Sequence, residues 1–218
     1  RGESLSVSID ANFVNTSILG TYFVYFETTD SQGNTGYAIR TVNVVDNVIP
    51  VITRTGPATV TVEVNTPYLD AGASASDNYD GDISTSIMTS GLPVDTSVVN
   101  LLGYTVTYNV SDSSGNPADP VTRTVIVEDT TPPVISLDGD NPVTVEVNTS
   151  YTDAGATATD NYDVTPPVVN VDASSVIISQ TGSYTVNFSA TDAAGNLATA
   201  TRTVTVVDQT APVLTLNG

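Results

Sequence analysis

Aspartate is the residue type in this chain best equipped for chemistry, and it recurs in fixed settings. Asp46, Asp129 and Asp208 each close a run of the form RTVxVxD. Asp77, Asp80 and Asp82 stand in DNYDGD, and Asp160 and Asp163 in DNYD. Asp112 and Asp192 stand in VSDSSGN and ATDAAGN. Carboxylates grouped in this way are hard oxygen donors, and calcium accepts about 6–8 such oxygens in irregular geometry. Other chemistries lack their parts. There is no His and no Cys, and the 5 basic residues are all arginines: Arg1, Arg40, Arg54, Arg123 and Arg202. A Ser-His-Asp triad, a Cys-His pair, a Schiff-base lysine, zinc on imidazole or thiolate, and a disulfide are therefore all ruled out. The pairs Asp80/Asp82 and Asp138/Asp140 have the residue types of a glycosidase acid and nucleophile. Short exposed loops offer no apolar pocket to raise one carboxyl above the other, so no enzyme is expected.

Charge bounds the partners. With 24 acidic residues against 5 basic ones the chain carries −19. That argues against nucleic acid and against anionic membrane surfaces. No apolar run approaches the ~20 residues needed to span a bilayer, so no membrane insertion is expected of this segment. Tryptophan is absent and aromatics make up 6% of the chain, so no stacking platform for sugars is expected; Tyr79 and Tyr162 are the aromatics to test for one.

The elements that position the aspartates follow from internal repetition. RTVNVVD, RTVIVED and RTVTVVD end three copies, and GTYFVYF, LGYTVTYNV and GSYTVNF align Tyr22, Tyr104 and Tyr184. VTVEVNTPYLDAGASASDNYD and VTVEVNTSYTDAGATATDNYD give two copies the same front half. Residues 47–129 and 130–208 read as complete repeats, 1–46 as the C-terminal half of one, and 209–218 as the first strand of another. The chain thus reads as a window on a longer array, or as a subunit whose ends are completed by neighbours through strand donation.

Within a repeat the period is two. Val143, Val145 and Val147 alternate with Thr144, Glu146 and Asn148, and Tyr184, Val186 and Phe188 alternate with Thr185 and Asn187. About seven short strands separated by Gly, Asn, Asp and Pro turns make an all-β sandwich, repeated in a linear array. A tyrosine following glycine at the start of the penultimate strand matches the tyrosine corner of immunoglobulin-like folds.

DTTPPVISLDGDNPVTVEVNTSYTDAGATATDNYD, followed by GSYTVNFSATDAAGN and TATRTVTVVD, resembles bacterial immunoglobulin-like tandem repeats of the insecticidal-crystal-protein type, related to the hyalin repeat. The resemblance covers essentially the whole chain. It implies tandem immunoglobulin-like β-sandwiches, an extracellular or cell-surface setting, a place in large adhesin-like proteins and no catalytic activity.

Sandwich topology then places the acids. If the first strand leaves a linker at one pole, the DNYD and DxxGN loops return to that pole, beside the closing aspartate of the preceding repeat. One junction would collect Asp46, Asp77, Asp80, Asp82 and Asp112; the next would collect Asp129, Asp160, Asp163 and Asp192. Asn78, Asn161 and backbone carbonyls are further oxygen donors. The expected cofactor is interdomain calcium, with neighbouring repeats of the same chain as partners and other copies in a filament as an alternative. Asp70 and Asp153 read as turn residues or as contributors to the next joint, and Arg40, Arg123 and Arg202 as cations paired with a carboxylate. Asn15, Asn109, Asn148 and Asn187 head sequons.

The expected function is a structural spacer with calcium-stiffened joints. The alternatives are a self-assembling filament subunit and a module that binds carbohydrate or a host protein.

Overall fold

A computed structural model of the chain describes residues 4–216. It contains strands β1 (Val7–Asp10), β2 (Gly20–Thr29), β3 (Thr35–Val44), β4 (Val51–Arg54), β5 (Thr59–Glu63), β6 (Ala73–Asp77), β7 (Gly81–Asp82) and β8 (Met88–Ser90). These are followed by β9 (Asn100–Asn109), β10 (Val121–Glu128), β11 (Val134–Leu137), β12 (Val143–Glu146), β13 (Ala156–Thr159), β14 (Val169–Asp172), β15 (Gly182–Thr191) and β16 (Leu197–Val207). The all-β expectation holds; among the described residues the one helical element is a 3-10 turn at Ser84–Ser86. No helix among them is long and apolar enough to cross a membrane.

The residues fall into two compact units. One holds the chain up to Ala58 with Asp70–Leu92 and Thr105–Arg123; the other holds Thr59–Leu69, Pro93–Tyr104 and everything from Thr124 on. Residues 47–129 contribute segments to both.

In the second unit the logic is plainest. β15 and β16 pair antiparallel from Gly182↔Val206 to Thr191↔Leu197. β12 adds to β16 in parallel, Val143↔Val204 to Glu146↔Val207, and β14 adds to β15. Alternation along β15 and β16 turns Val186, Phe188, Val204 and Val206 to one side, where all four are at most 1% exposed. The short sheet β11–β13 covers them, with Ile135 and Leu137 packed on that cluster. Two facing layers with apolar inner surfaces make the sandwich. Tyr184 donates its hydroxyl to the carbonyl of Gln180 at 2.9 Å, forming the corner expected of it.

The first unit repeats this pattern. Val106 and Tyr108 turn inward from β9, with Val110 just beyond it, and β4, β6 and β7 form the short sheet. Ahead of them, β1, β2 and β3 form a three-stranded antiparallel sheet, and Tyr22 donates to the carbonyl of Ile18 at 2.9 Å. The tyrosine corner therefore occurs once in each unit. β2 turns Val24 inward, yet its other face carries Phe23 and Tyr25, with Tyr37 and Ile39 beside them on β3; these four are 45–75% exposed. The equivalent positions of β15 and β16 carry Thr185, Asn187, Thr199 and Thr201.

Arg123 and Arg202 are the largest buried side chains, at 2% and 1% exposure. Arg202 pairs with Asp153 at 2.7 Å and Arg123 with Asp70 at 3.3 Å. Arg123 and Arg202 thus pair with carboxylates, and their partners are Asp70 and Asp153, the residues read from sequence as turn formers; Arg40 instead lies 5.4 Å over the Phe26 ring.

Candidate metal centres

Asp46 and Asp129 each meet the two loops that the strand directions bring back to them. In the first unit, Asp46 follows β3, Asp77 ends β6 and Asp112 follows β9. One carboxylate oxygen from each lies within 4.8 Å of the others. Asp46 is 9% exposed and Asp112 8%.

The loops build this site through local hydrogen bonds. Asp112 accepts from the Asn116 backbone and from Asn116 Nδ2, both at 2.7 Å, closing the SDSSGN loop on itself. The same Nδ2 donates to the carbonyl of Asp46 at 3.1 Å and so grips the linker. Asp80 accepts from Ser113 N and Ser113 Oγ, both at 2.7 Å, which ties the two loops together. Asp77 Oδ1 accepts from Tyr79 N and Asp80 N, and Asp46 Oδ1 accepts from Val48 N. After these bonds are counted, Oδ2 of Asp46 and Oδ2 of Asp77 are buried with no hydrogen-bond partner. Asp82 does not join the group. Its carboxylate caps Ser84, accepting from the backbone at 2.9 Å and from the hydroxyl at 2.6 Å.

In the second unit, oxygens of Asp129, Asp160 and Asp163 lie within 4.8 Å of one another. Asp192, also expected at this site, lies outside the three-oxygen group; it is 7% exposed and closes its loop as Asp112 does, accepting from Gly195 N, Asn196 N and Asn196 Nδ2. Asn196 Nδ2 in turn donates to the carbonyl of Asp129 at 3.1 Å. Asp163 Oδ2 accepts from Ala193 N at 2.8 Å, again tying loop to loop. Oδ2 of Asp129 and Oδ2 of Asp160 are buried and unpartnered, as in the first cluster. Val164 and Thr165 stand where the first loop has Gly81 and Asp82, and the cluster forms without them.

The electrostatics match the geometry. Burial pushes the Asp129 carboxyl up, and the charges of Asp160, Asp192 and Glu63 push it further, against one hydrogen bond from Thr131. Burial acts on Asp192 as well, but the Asn196 side chain and loop amides outweigh it and hold that carboxyl low. Two like charges ~4 Å apart repel by about 4 kcal/mol at an effective dielectric near 20. Buried anionic oxygens with no donor left to them are what an oxygen-seeking divalent cation would satisfy, so the residues present fit calcium.

Three residues escaped the sequence reading. Asn116 and Asn196 end the repeated xxGN string, which was visible but read as turn chemistry. Glu63, at the end of β5, accepts from Thr130 N at 2.8 Å, Thr130 Oγ1 at 2.5 Å, Thr131 Oγ1 at 2.8 Å and Asn161 Nδ2 at 3.0 Å. Burial opposes its ionisation, yet those bonds hold its carboxyl down at about 2. Asn161 thus spends its amide on Glu63. The only signal for Glu63 was the recurrence of VTVEVN at Glu63 and Glu146.

Comparison with known proteins gives these repeats a family. The family described as bacterial surface protein, Ig-like domain, matches residues 52–127 and 135–206, more than half of the chain. Hyalin of Lytechinus variegatus is 34% identical over 213 residues, covering 91% of this chain and 39% of hyalin. An uncharacterised 81.3 kDa protein of Acholeplasma phage L2 is 34% identical over 214 residues, covering 92% of this chain and 28% of that protein. Internalin I of Listeria monocytogenes is 29% identical over 238 residues, covering 97% of this chain and 12% of internalin I. The chain therefore spans well under half the length of these relatives. Two copies of one sandwich, with the same strand order and the same acidic loops, fall under a single family description: the chain belongs to the bacterial surface protein Ig-like domain family.

Proposed function

We propose that this chain is a stalk segment of an extracellular or cell-surface, adhesin-like protein, with joints stiffened by calcium. Residues 47–129 and 130–208 serve as complete repeats, 1–46 as the C-terminal half of one, and 209–218 as the opening of the next. The observation that carries the reading is the pair of buried, unpartnered oxygens at each linker, Asp46 and Asp77 at one and Asp129 and Asp160 at the other. A cation bound there joins a linker to the repeat that follows it, through the Asp77 and Asp112 loops at the first site and the Asp160–Asp163 loop at the second. Asp46, Asp77 and Asp112, with Asp80 behind them, supply the first site; Asp129, Asp160 and Asp163, with Asp192 behind them, supply the second. Small-angle scattering with calcium and with chelator tests it. Calcium should lengthen and narrow the distribution of dimensions, and identical profiles would remove the stiffening role.

A second reading, a module that binds carbohydrate, is favoured by one specific feature. The outer face of β2 and β3 carries Phe23, Tyr25, Tyr37 and Ile39, where the equivalent face of β15 and β16 carries threonine and asparagine. The expectation from composition that no aromatic platform exists thus meets an exposed group of three rings on one sheet face. Glycan-array binding lost on Tyr25→Ala and Tyr37→Ala would support this reading, and an empty array would remove it.

A further inference from the structure

The carboxylate of Glu63 does something the metal sites do not explain. It is outside the three-oxygen group, it is fully hydrogen-bonded, and its four donors come from two separate segments: the linker residues Thr130 and Thr131, and Asn161 of the DNYD loop. Thr130 directly follows Asp129, and Asn161 directly follows Asp160. Those two neighbours are the ones whose Oδ2 atoms are buried and unpartnered.

The same device recurs at Glu146. Its oxygens accept from Gln209 N at 3.0 and 2.9 Å and from Thr210 Oγ1 at 2.8 Å. There too the glutamate binds the linker that follows the closing aspartate. At the first linker Asn47 and Val48 replace Thr130 and Thr131, so no linker hydroxyl is available for such a grip.

We propose that Glu63 is a positioning residue: a cation-independent latch that fixes the linker after Asp129 and the loop after Asp160, so that both carboxylates already face the metal position before any ion arrives. Hydrogen bonds to a charged acceptor are stronger than those between neutral groups, and four on one carboxylate hold both segments in place. Held in place, the two aspartates cannot relieve their repulsion by swinging apart. The strain of that arrangement is then released by the ion rather than by motion of the loop. The latch itself stands on hydrogen bonds alone; its effect on the ion rests on the calcium reading above.

The test uses the whole chain, in chelator and in calcium, with Glu63→Gln. In chelator, amide exchange at Thr130 should speed up at least tenfold in the variant while amides of β15 and β16 keep their protection. In calcium, affinity at the second site should fall about tenfold while the first site is unchanged. Unchanged Thr130 protection in chelator would overturn the latch. A latch effect in chelator with no calcium binding by the unaltered chain would leave the latch standing and remove the calcium reading. If Glu63→Gln fails to fold, Thr131→Val removes one donor and should raise Thr130 exchange severalfold; no change there would equally overturn the proposal.

Discussion

Arg202 Nη1 lies 2.7 Å from Asp153 Oδ1, with both side chains all but sealed from solvent. The guanidinium also stacks 5.4 Å above the Phe188 ring, and Asp153 accepts from the Tyr151 hydroxyl and Gly155 N. This buried pair closes the DAG turn onto the last strand of the repeat. Removing one partner of a buried pair strands the other charge, at a cost of about 3–5 kcal/mol. Asp153→Ala should therefore lower stability by that amount in denaturant unfolding, and an exchange of both residues for apolar ones should restore most of it.

Asn196 ties Asp192 to the carbonyl of Asp129 through a single amide. Asn196→Ala should cost about 1–3 kcal/mol, since it leaves a buried carboxylate short of donors. Thermal melting of the variant in chelator measures it, and the Asn116→Ala counterpart should act on the first linker alone.

Acid titration should separate two glutamate and aspartate roles by sign. The Glu63 carboxyl is held at about 2, below its ordinary 4.5. Its contribution is therefore complete above pH ~4.5 and is lost as pH falls from there toward ~2. Stability of the unaltered chain minus that of Glu63→Gln, measured in urea across this range, should shrink toward zero at the acid end.

Asp129 should behave in the opposite way. Its folded carboxyl is raised above 3.8 by burial and by neighbouring acids. Without metal the folded state binds a proton more readily than the unfolded one, so stability falls as pH rises above 3.8 through the folded value. Asp129→Asn should then be more stable than the unaltered chain at neutral pH in chelator, and the two should converge in acid. A structural role alone predicts a less stable variant at every pH.

The convergence of Asp46 with Asp77 and Asp112 was legible because repetition fixed the strand count, and each turn between strands reverses the chain, which fixes the pole where each loop lies. The departures have local causes. Asp82 sits two residues before Ser84, and its nearest donors outcompete a more distant site. Asp70 and Asp153 look like any turn aspartate until the fold brings Arg123 and Arg202 to them across about fifty residues of chain. Glu63 alternates with valines exactly as a solvated strand residue would, and only the following linker reveals its task. The exposed rings of Phe23 and Tyr25 were hidden by counting aromatics over the whole chain, when what matters is that both fall on one face of β2.

The central claim is that the buried oxygens at the two linkers hold a divalent cation, and calcium titration calorimetry on the whole chain tests it most directly. Two binding events should appear. Asp46→Asn with Asp77→Asn should abolish one, and Asp129→Asn with Asp160→Asn the other. Absence of binding heat, with melting curves identical in chelator and in millimolar calcium, would contradict the account.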